Sequence, residues 1–279
     1  MTRTTMLNDG TPFPLIGLGV MLIPDAEVPA VMRQAVAMGY RSFDTASIYG
    51  NERGTGRGIR ECGQPRDQVQ VTTKLWNTRQ GYDDALRAFD ESLEALGLDY
   101  IDVYIIHWPV PPLDLYADSW RALVRIRDEG RAKSIGVSNF LPEHLERIIG
   151  ETGVAPALNQ VELHPDWQQS SLREVHAKHG IVTEAWSPLG HGRALEDPRL
   201  AALAAKAACT PAQLILAYLA GEGIVVMPKA SSSIHLRENI DSLLIELDTE
   251  TIEAMRSLDR PDGRFGPDPR TFEGIAGRA

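Results

Sequence analysis

VQVTTKLWNTRQGYDDALRAFDESLEALGLDYIDVYIIH, residues 69–107, contains a short β-like run, a longer helical pattern and a second β-like run. The first run, 69–73, is rich in valine and threonine. The helical pattern, 85–96, places Leu86, Phe89, Leu93 and Leu96 at spacings of three and four, so they share one face. Gly97 supplies a helix stop, and the apolar run 101–106 follows at once. Strand, helix and strand at this spacing make one unit of an alternating α/β fold.

The same alternation continues in both directions. Further apolar runs lie at 15–19, 40–43, 134–137, 157–161, 181–185 and 224–227, which brings the total to eight, the number a closed parallel barrel needs. Between them, 28–38 aligns Val28, Val31, Met32, Ala35 and Val36 on one face. Helices also fit 51–61, 119–129, 142–149, 172–179, 200–207 and 211–219. Ser138 and Thr210 stand where capping residues would stand. Two pieces fall outside the alternation. Residues 4–7 and 12–15 flank the turn signal Asn8-Asp9-Gly10 and predict a hairpin closing the barrel floor. Residues 249–258 predict an extra C-terminal helix, followed by a Gly/Pro-rich tail from Pro261. No low-complexity linker divides the chain. The expected fold is one α/β domain over 1–279, a (β/α)8 TIM barrel with an N-terminal hairpin and an added C-terminal helix.

With 43% hydrophobic and 24% charged residues, disordered and fibrous classes are excluded. The formal net charge of -10 repels a nucleic-acid backbone, so no nucleic-acid partner is expected. Only Cys62 and Cys209 are present, with no CxxC spacing, which predicts neither a disulfide framework nor a structural zinc. No long apolar run spans a bilayer, and residues 1–10 are too polar for a signal-peptide core. A cytoplasmic protein without a membrane partner is expected.

In such barrels the active site is built at the carboxyl ends of the strands. The polar residues there are Asp44, Lys74, His107, Ser138 with Asn139, Gln160 with Glu162, Trp186 with Ser187, and Lys229. Each has an ordinary alternative: an Asp that caps a helix, a solvated Lys, a packed His107-Trp108-Pro109 corner. Together, however, an acid, a cation and an imidazole end three successive strands, and burying that set without a function would carry an avoidable desolvation cost. Tyr49 lies in the turn just after Asp44. A cation at ~4 Å in an effective dielectric near 20 is worth about 4 kcal/mol. That is enough to bring a phenol, ordinarily at a pKa of about 10, within reach of neutral pH. Tyr49 is thus the candidate general acid, Asp44 holds Lys74, and His107 hydrogen-bonds the substrate oxygen.

Seven runs carry a resemblance to a known family: GYRSFDTASIYGNE (39–52), TTKLWN (72–77), DVYIIHWP (102–109), IGVSNF (135–140), LNQVELHP (158–165), EAWSPLG (184–190) and MPKA with REN (227–239). In combination they resemble the aldo-keto reductase superfamily, above all bacterial members of the 2,5-diketo-D-gluconate reductase type. The resemblance implies reduction of aldehydes and ketones by hydride from NADPH or NADH, with Asp44, Tyr49, Lys74 and His107 as the catalytic tetrad. It implies that Ser138, Asn139 and Gln160 hydrogen-bond the nicotinamide carboxamide. Trp186 stands where the ring is stacked, usually a tyrosine in the family. Ser187, Leu189 and Gly190 lie over the pyrophosphate, and Lys229, His235, Glu238 and Asn239 fall in the adenosine-phosphate segment. Val20, Met21, Trp76 and Trp108 wall the substrate end. A small carbonyl substrate and a monomer are implied, and no metal.

The chain departs from the family at one place. NADPH-preferring relatives commonly read Pro-Lys-Ser with an Arg six residues beyond the Lys, whereas this chain reads Pro228-Lys229-Ala230 and has His235 at that position. Arg237 is two residues on and would point to nearly the opposite side of a helix. Acceptance of NADH is therefore expected. No GxGxxG follows a strand: Gly54, Gly56 and Gly58 have another spacing and read as backbone packing within a helix. The competing readings are a nucleotide-sensing barrel with little turnover and a metal-dependent hydrolase. For the latter, His164 with Glu162 is the nearest ligand pair, though His164-Pro165 also reads as a packed corner.

Overall fold

The computed structural model describes residues 3–274; positions 1 and 2, and the end of the expected tail at 275–279, lie outside the described residues. A hairpin of β1 (Thr4–Met6) and β2 (Pro12–Pro14) comes first, with Thr5 opposite Phe13. Leu7 and Phe13 are buried beneath it. Asn8 Nδ2 donates to Pro156 O at 2.9 Å and Gln70 Nε2 to Pro12 O at 2.8 Å, which ties the hairpin to the ends where strands begin. It forms the floor.

Eight parallel strands follow: β3 (Leu18–Gly19), β4 (Ser42–Asp44), β5 (Gln70–Leu75), β6 (Ile101–Ile106), β7 (Ala132–Ser138), β8 (Leu158–Glu162), β9 (Val182–Trp186) and β10 (Val225–Met227). Each pairs with its neighbour in chain order. Parallel bridges between Ile16 and Val226 and between Gly19 and Lys229 close the sheet on itself. Between and after the strands run α1 (Val28–Met38), α2 (Glu52–Glu61), α3 (Tyr82–Leu96), α4 (Tyr116–Asp128), α5 (Pro142–Thr152), α6 (Ser170–His179), α7 (Pro198–Lys206), α8 (Pro211–Gly221), α9 (Ser233–Asp241) and α10 (Thr249–Arg256). The fold is a (β/α)8 barrel. Among the described residues no single helix is long and apolar enough to cross a membrane.

The deciding stretch behaves as its pattern dictates. On α3, Ala85, Phe89 and Leu96 are buried, and Phe89 meets Tyr104 of β6 edge-on at 5.0 Å. Burying a side chain of that size contributes about 1.5–3 kcal/mol. The helix ends because Gly97 takes a left-handed φ of 62° and returns its N–H to Leu93 O and Glu94 O. Gly56 in α2 serves close packing, since a Cβ there would lie 1.7 Å from Leu96 O.

Two expectations need revision. Thr210 caps α8, accepting from Gln213 N at 3.2 Å, but Ser138 caps nothing. It is the last residue of β7, and its Oγ donates to Gln160 O at 2.8 Å. The cap position of α5 is Leu141, with Pro142 starting the helix, because a loop through Asn139, at a left-handed φ of 61°, intervenes. The second revision is α9: His235 and Arg237 are expected on a helix, but without bounds, and the structure runs it over Ser233–Asp241. Ser232 caps it by accepting from His235 N.

Candidate active site

Asp44 closes β4, Lys74 lies near the end of β5, and His107 follows β6, so consecutive strands deliver them to one rim. Lys74 is fully buried. Its ammonium donates to Asp44 Oδ1 at 2.6 Å and to Thr45 O at 2.8 Å. Burial opposes the charge, but the Asp44 carboxylate and the Tyr49 phenol together outweigh it and hold the Lys74 pKa above its ordinary value. Removing one partner of such a pair leaves an uncompensated buried charge, a cost of about 3–5 kcal/mol.

Tyr49 sits on a one-turn 3-10 helix, Ser47–Tyr49, that is pinned from both sides. Ser47 Oγ donates to Lys74 O at 3.0 Å. Behind it, Asn51 accepts from Thr45 Oγ1 at 2.7 Å and donates to Val20 O and Ile23 O. The Lys74 ammonium lies 5.1 Å from the Tyr49 ring centroid, and the His107 ring meets Tyr49 edge-on at 5.8 Å. The acid, cation, phenol and imidazole therefore converge. The expected lowering of the phenol's pKa is overturned: although Tyr49 is half-buried in exposure, the protein packed around it pushes the pKa up, and the Lys74 cation recovers only part of that. Burial, reinforced by Lys74, pushes the His107 pKa well below its ordinary value, so the imidazole is neutral. Its Nδ1 is buried without a partner, while its Nε2 makes no hydrogen bond to a described residue and is not buried.

Ser138, Asn139, Gln160 and Trp186 form one network. Asn139 Nδ2 donates to Ser138 Oγ at 2.9 Å and to His107 O at 3.0 Å, and Asn139 Oδ1 accepts from Trp186 Nε1 at 2.8 Å. Gln160 Nε2 donates to Asp44 Oδ2 at 2.9 Å and also to Glu184 Oε1. Glu184 escaped the sequence reading because it lies inside an apolar run and not after one. A carboxyl within a buried strand was the available signal.

The loop after β9 turns through left-handed residues, with φ of 50° at Ser187 and 58° at Gly190. Leu189 is half-buried and Gly190 buried. Lys229 is exposed, and its ammonium donates to Ser231 Oγ at 3.4 Å. His235 is exposed on the first turn of α9, whereas Arg237 reaches Asp241 Oδ1 at 3.3 Å, one turn along the same helix. Glu238 accepts from Thr210 Oγ1 at 2.5 Å, and Asn239 is buried. Of these segments, Trp186 is joined through Asn139 to the His107 backbone, and Lys229 lies beside Gly19 at the seam of the barrel.

At the other side Trp76 meets the His107 ring at 5.1 Å and Trp108 meets Phe272 at 4.4 Å. Phe272 belongs to the tail, whose path is unreadable from sequence. Met21 is 38% exposed, while Val20 is fully buried and is held through its backbone, its N–H donating to Asp44 O at 2.9 Å. Glu162 and His164 are joined at 3.1 Å, but the Glu162 carboxylate is taken by the tail amides of Phe265 and Gly266, both at 2.8 Å. Phe265 stacks on His164 at 4.9 Å, so this pair is a packed corner. Among the described residues no group of three or more His, Cys, Asp or Glu side chains could hold a metal ion.

The aldo/keto reductase family model matches residues 15–260. An aldo-keto reductase of Mycolicibacterium smegmatis is 47% identical over 272 residues, 98% of this chain and 98% of that protein. Methylglyoxal reductase DkgA of Escherichia coli O157:H7 is 42% identical over 270 residues, 96% of this chain and 97% of its own length. The crystal structure of a Gox0644 variant in complex with NADPH superposes with a TM-score of 0.94 at 46% identity, covering 98% of this chain and 99% of that one.

Proposed function

Because the chain belongs to the aldo/keto reductase family, we propose that it reduces aldehydes or ketones to alcohols with NADPH or NADH, Tyr49 being the proton donor. The observation that carries this reading is the buried Asp44–Lys74 pair beside the Tyr49 phenol and the neutral His107. The residues present fit a dinucleotide. Both N–H groups of Gln160 are used, which leaves its carbonyl oxygen for the carboxamide. Lys229 is an exposed ammonium without a carboxylate partner among the described residues, as an anionic phosphate would require. Trp186 offers an indole held in place by Asn139. When bound, the reduced nicotinamide supplies the hydride.

The chain's own residues do the rest. His107, neutral and with Nε2 accessible, donates to the carbonyl oxygen and places it near Tyr49. The raised pKa of Tyr49 keeps the phenol protonated at neutral pH, the form that can deliver a proton to the developing alkoxide. Lys74 then stabilises the phenolate left behind, and Asp44 holds Lys74 charged and oriented. Trp76, Trp108 and Phe272 give the substrate end apolar, aromatic walls suited to small or flat carbonyl compounds.

The finer placement in the bacterial 2,5-diketo-D-gluconate reductase type rests on motifs spread over nearly the whole chain. The same reading takes the chain as one barrel domain, acting as a cytoplasmic monomer. The test is consumption of NADPH and of NADH with a panel of aldehydes and ketones. Turnover with at least one carbonyl is expected; cofactor binding without turnover across the panel would instead make the protein a nucleotide-sensing barrel.

A further inference from the structure

We propose that Glu184 is a positioning residue of this site: together with Asp44 it takes both N–H bonds of Gln160 and so fixes which end of that amide is presented to the nicotinamide. The proposal rests on the cofactor reading above. Glu184 pairs in register with Gln160 of β8 on one side and with Val225 of β10 on the other, and it is fully buried. An amide nitrogen has two protons to donate. In Gln160 one goes to Asp44 Oδ2 and the other to Glu184 Oε1. A flipped amide would turn its oxygen towards the Asp44 carboxylate, which has no proton to give, and would lose the bond made there, so the pair of carboxyl groups favours the carbonyl end towards the rim. That end accepts from the N–H2 of a carboxamide, which makes Gln160 selective for a group that donates.

Glu184 also carries a charge state that this position can transmit. Its Oε2 is buried with no hydrogen-bond partner, an environment that disfavours a carboxylate. Burial and then the Asp44 charge push its pKa well above the usual carboxylate range, with Gln160 and Lys74 opposing, so the side chain holds its proton to higher pH than a free carboxyl does. The ionisable groups acting on it are Asp44 from β4 and Lys74 from β5. The three residues of β10, Val225, Val226 and Met227, are uncharged. Once ionised, Glu184 places a second carboxylate behind the nicotinamide site, shared with Asp44 by a single ammonium. An oxidised nicotinamide ring is cationic and the reduced ring is not, so ionisation favours the oxidised cofactor. In the wild type the oxidised form should therefore gain affinity over the reduced form as pH rises through the raised pKa of Glu184.

The experiment measures dissociation constants for NADPH and NADP+ by fluorescence from pH 6.5 to 9.5 in the wild type, Glu184→Gln and Glu184→Leu. Taking the ratio of the two constants cancels titration of the 2′-phosphate. The wild-type ratio is expected to shift by severalfold across this range. Glu184→Gln retains an acceptor for Gln160 but has no proton to lose, so its ratio should be flat. Glu184→Leu frees the amide and should weaken reduced-cofactor binding at pH 7 by on the order of 2- to 10-fold, more than Glu184→Gln does. A pH-independent wild-type ratio, the same pH dependence in Glu184→Gln as in the wild type, or wild-type binding in Glu184→Leu overturns the proposal. Failure of the wild type to bind either cofactor would contradict the cofactor reading instead.

Discussion

Lys74 is the residue on which the electrostatics of the rim turn, because it is the one ammonium among Asp44, Glu184 and the Tyr49 phenol. Lys74→Met removes the charge that opposes the upward shift of Tyr49, so the phenolate should form only at higher pH. Alcohol oxidation needs that phenolate, and its pH–rate profile is expected to move to higher pH. The Asp44 carboxylate left alone should also cost about 3–5 kcal/mol of stability. A purely structural ion pair would lower stability and leave the pH profile where it was. In the segment proposed to meet the adenosine phosphate, Arg237 is engaged with Asp241, so His235 is the residue to change. His235→Arg should raise kcat/KM with NADPH relative to NADH by roughly 10- to 150-fold, the worth of one charge-assisted hydrogen bond; an unchanged ratio would show that this position does not meet the 2′-phosphate. Asp44, Tyr49, Lys74 and His107 were legible in the sequence because polar groups of complementary chemistry follow successive apolar runs. The pKa of Tyr49 was not, because the packing around the phenol that decides its direction belongs to the folded barrel. Glu184 was hidden by its position within a strand.

At the scale of elements, apolar periodicity identified what it could reach. The strands and most helices show it, and their ends moved by a few residues where caps or turns decided the boundary. Helix α9 entered the sequence reading only through the spacing of His235 and Arg237, without bounds, because its buried face is small: Leu236 and Ile240 are its buried apolar residues, on an otherwise polar segment. Its start depends on the Ser232 cap. Two glycines separate packing from propensity. Gly56→Ala would bring a methyl group against the Leu96 carbonyl, which cannot rotate away, so a loss of about 1–3 kcal/mol is expected despite the better helix propensity of alanine. Gly150→Ala, in α5, meets nothing within 4 Å and should stabilise by up to about 1 kcal/mol. Urea unfolding of the two variants checks both signs; a neutral or stabilising Gly56→Ala would mean that α2 does not rest on the end of α3 as described.

For the whole molecule, closure of the sheet turns separate strand ends into one site. The seam between β3 and β10 brings Gly19 beside Lys229, and register across β4 to β9 sets Asp44, Lys74, Gln160 and Trp186 at successive points of the same rim. The eight-run alternation made that closure legible. The tail was not, since Phe265 and Phe272 reach the rim through a segment without periodicity, held by the Glu162 carboxylate and by packing on Trp108. The central claim, that this rim delivers a proton from Tyr49 as hydride reaches the carbonyl, is tested most directly by single-turnover kinetics of Tyr49→Phe. Wild type and variant are preloaded with NADPH, mixed with a carbonyl compound that the wild type reduces, and followed by loss of the reduced-nicotinamide absorbance. The expected result is unchanged NADPH affinity with a rate lower by about 10²–10⁴-fold, and a variant keeping more than about a tenth of the wild-type rate with chemistry rate-limiting would contradict Tyr49 as the acid.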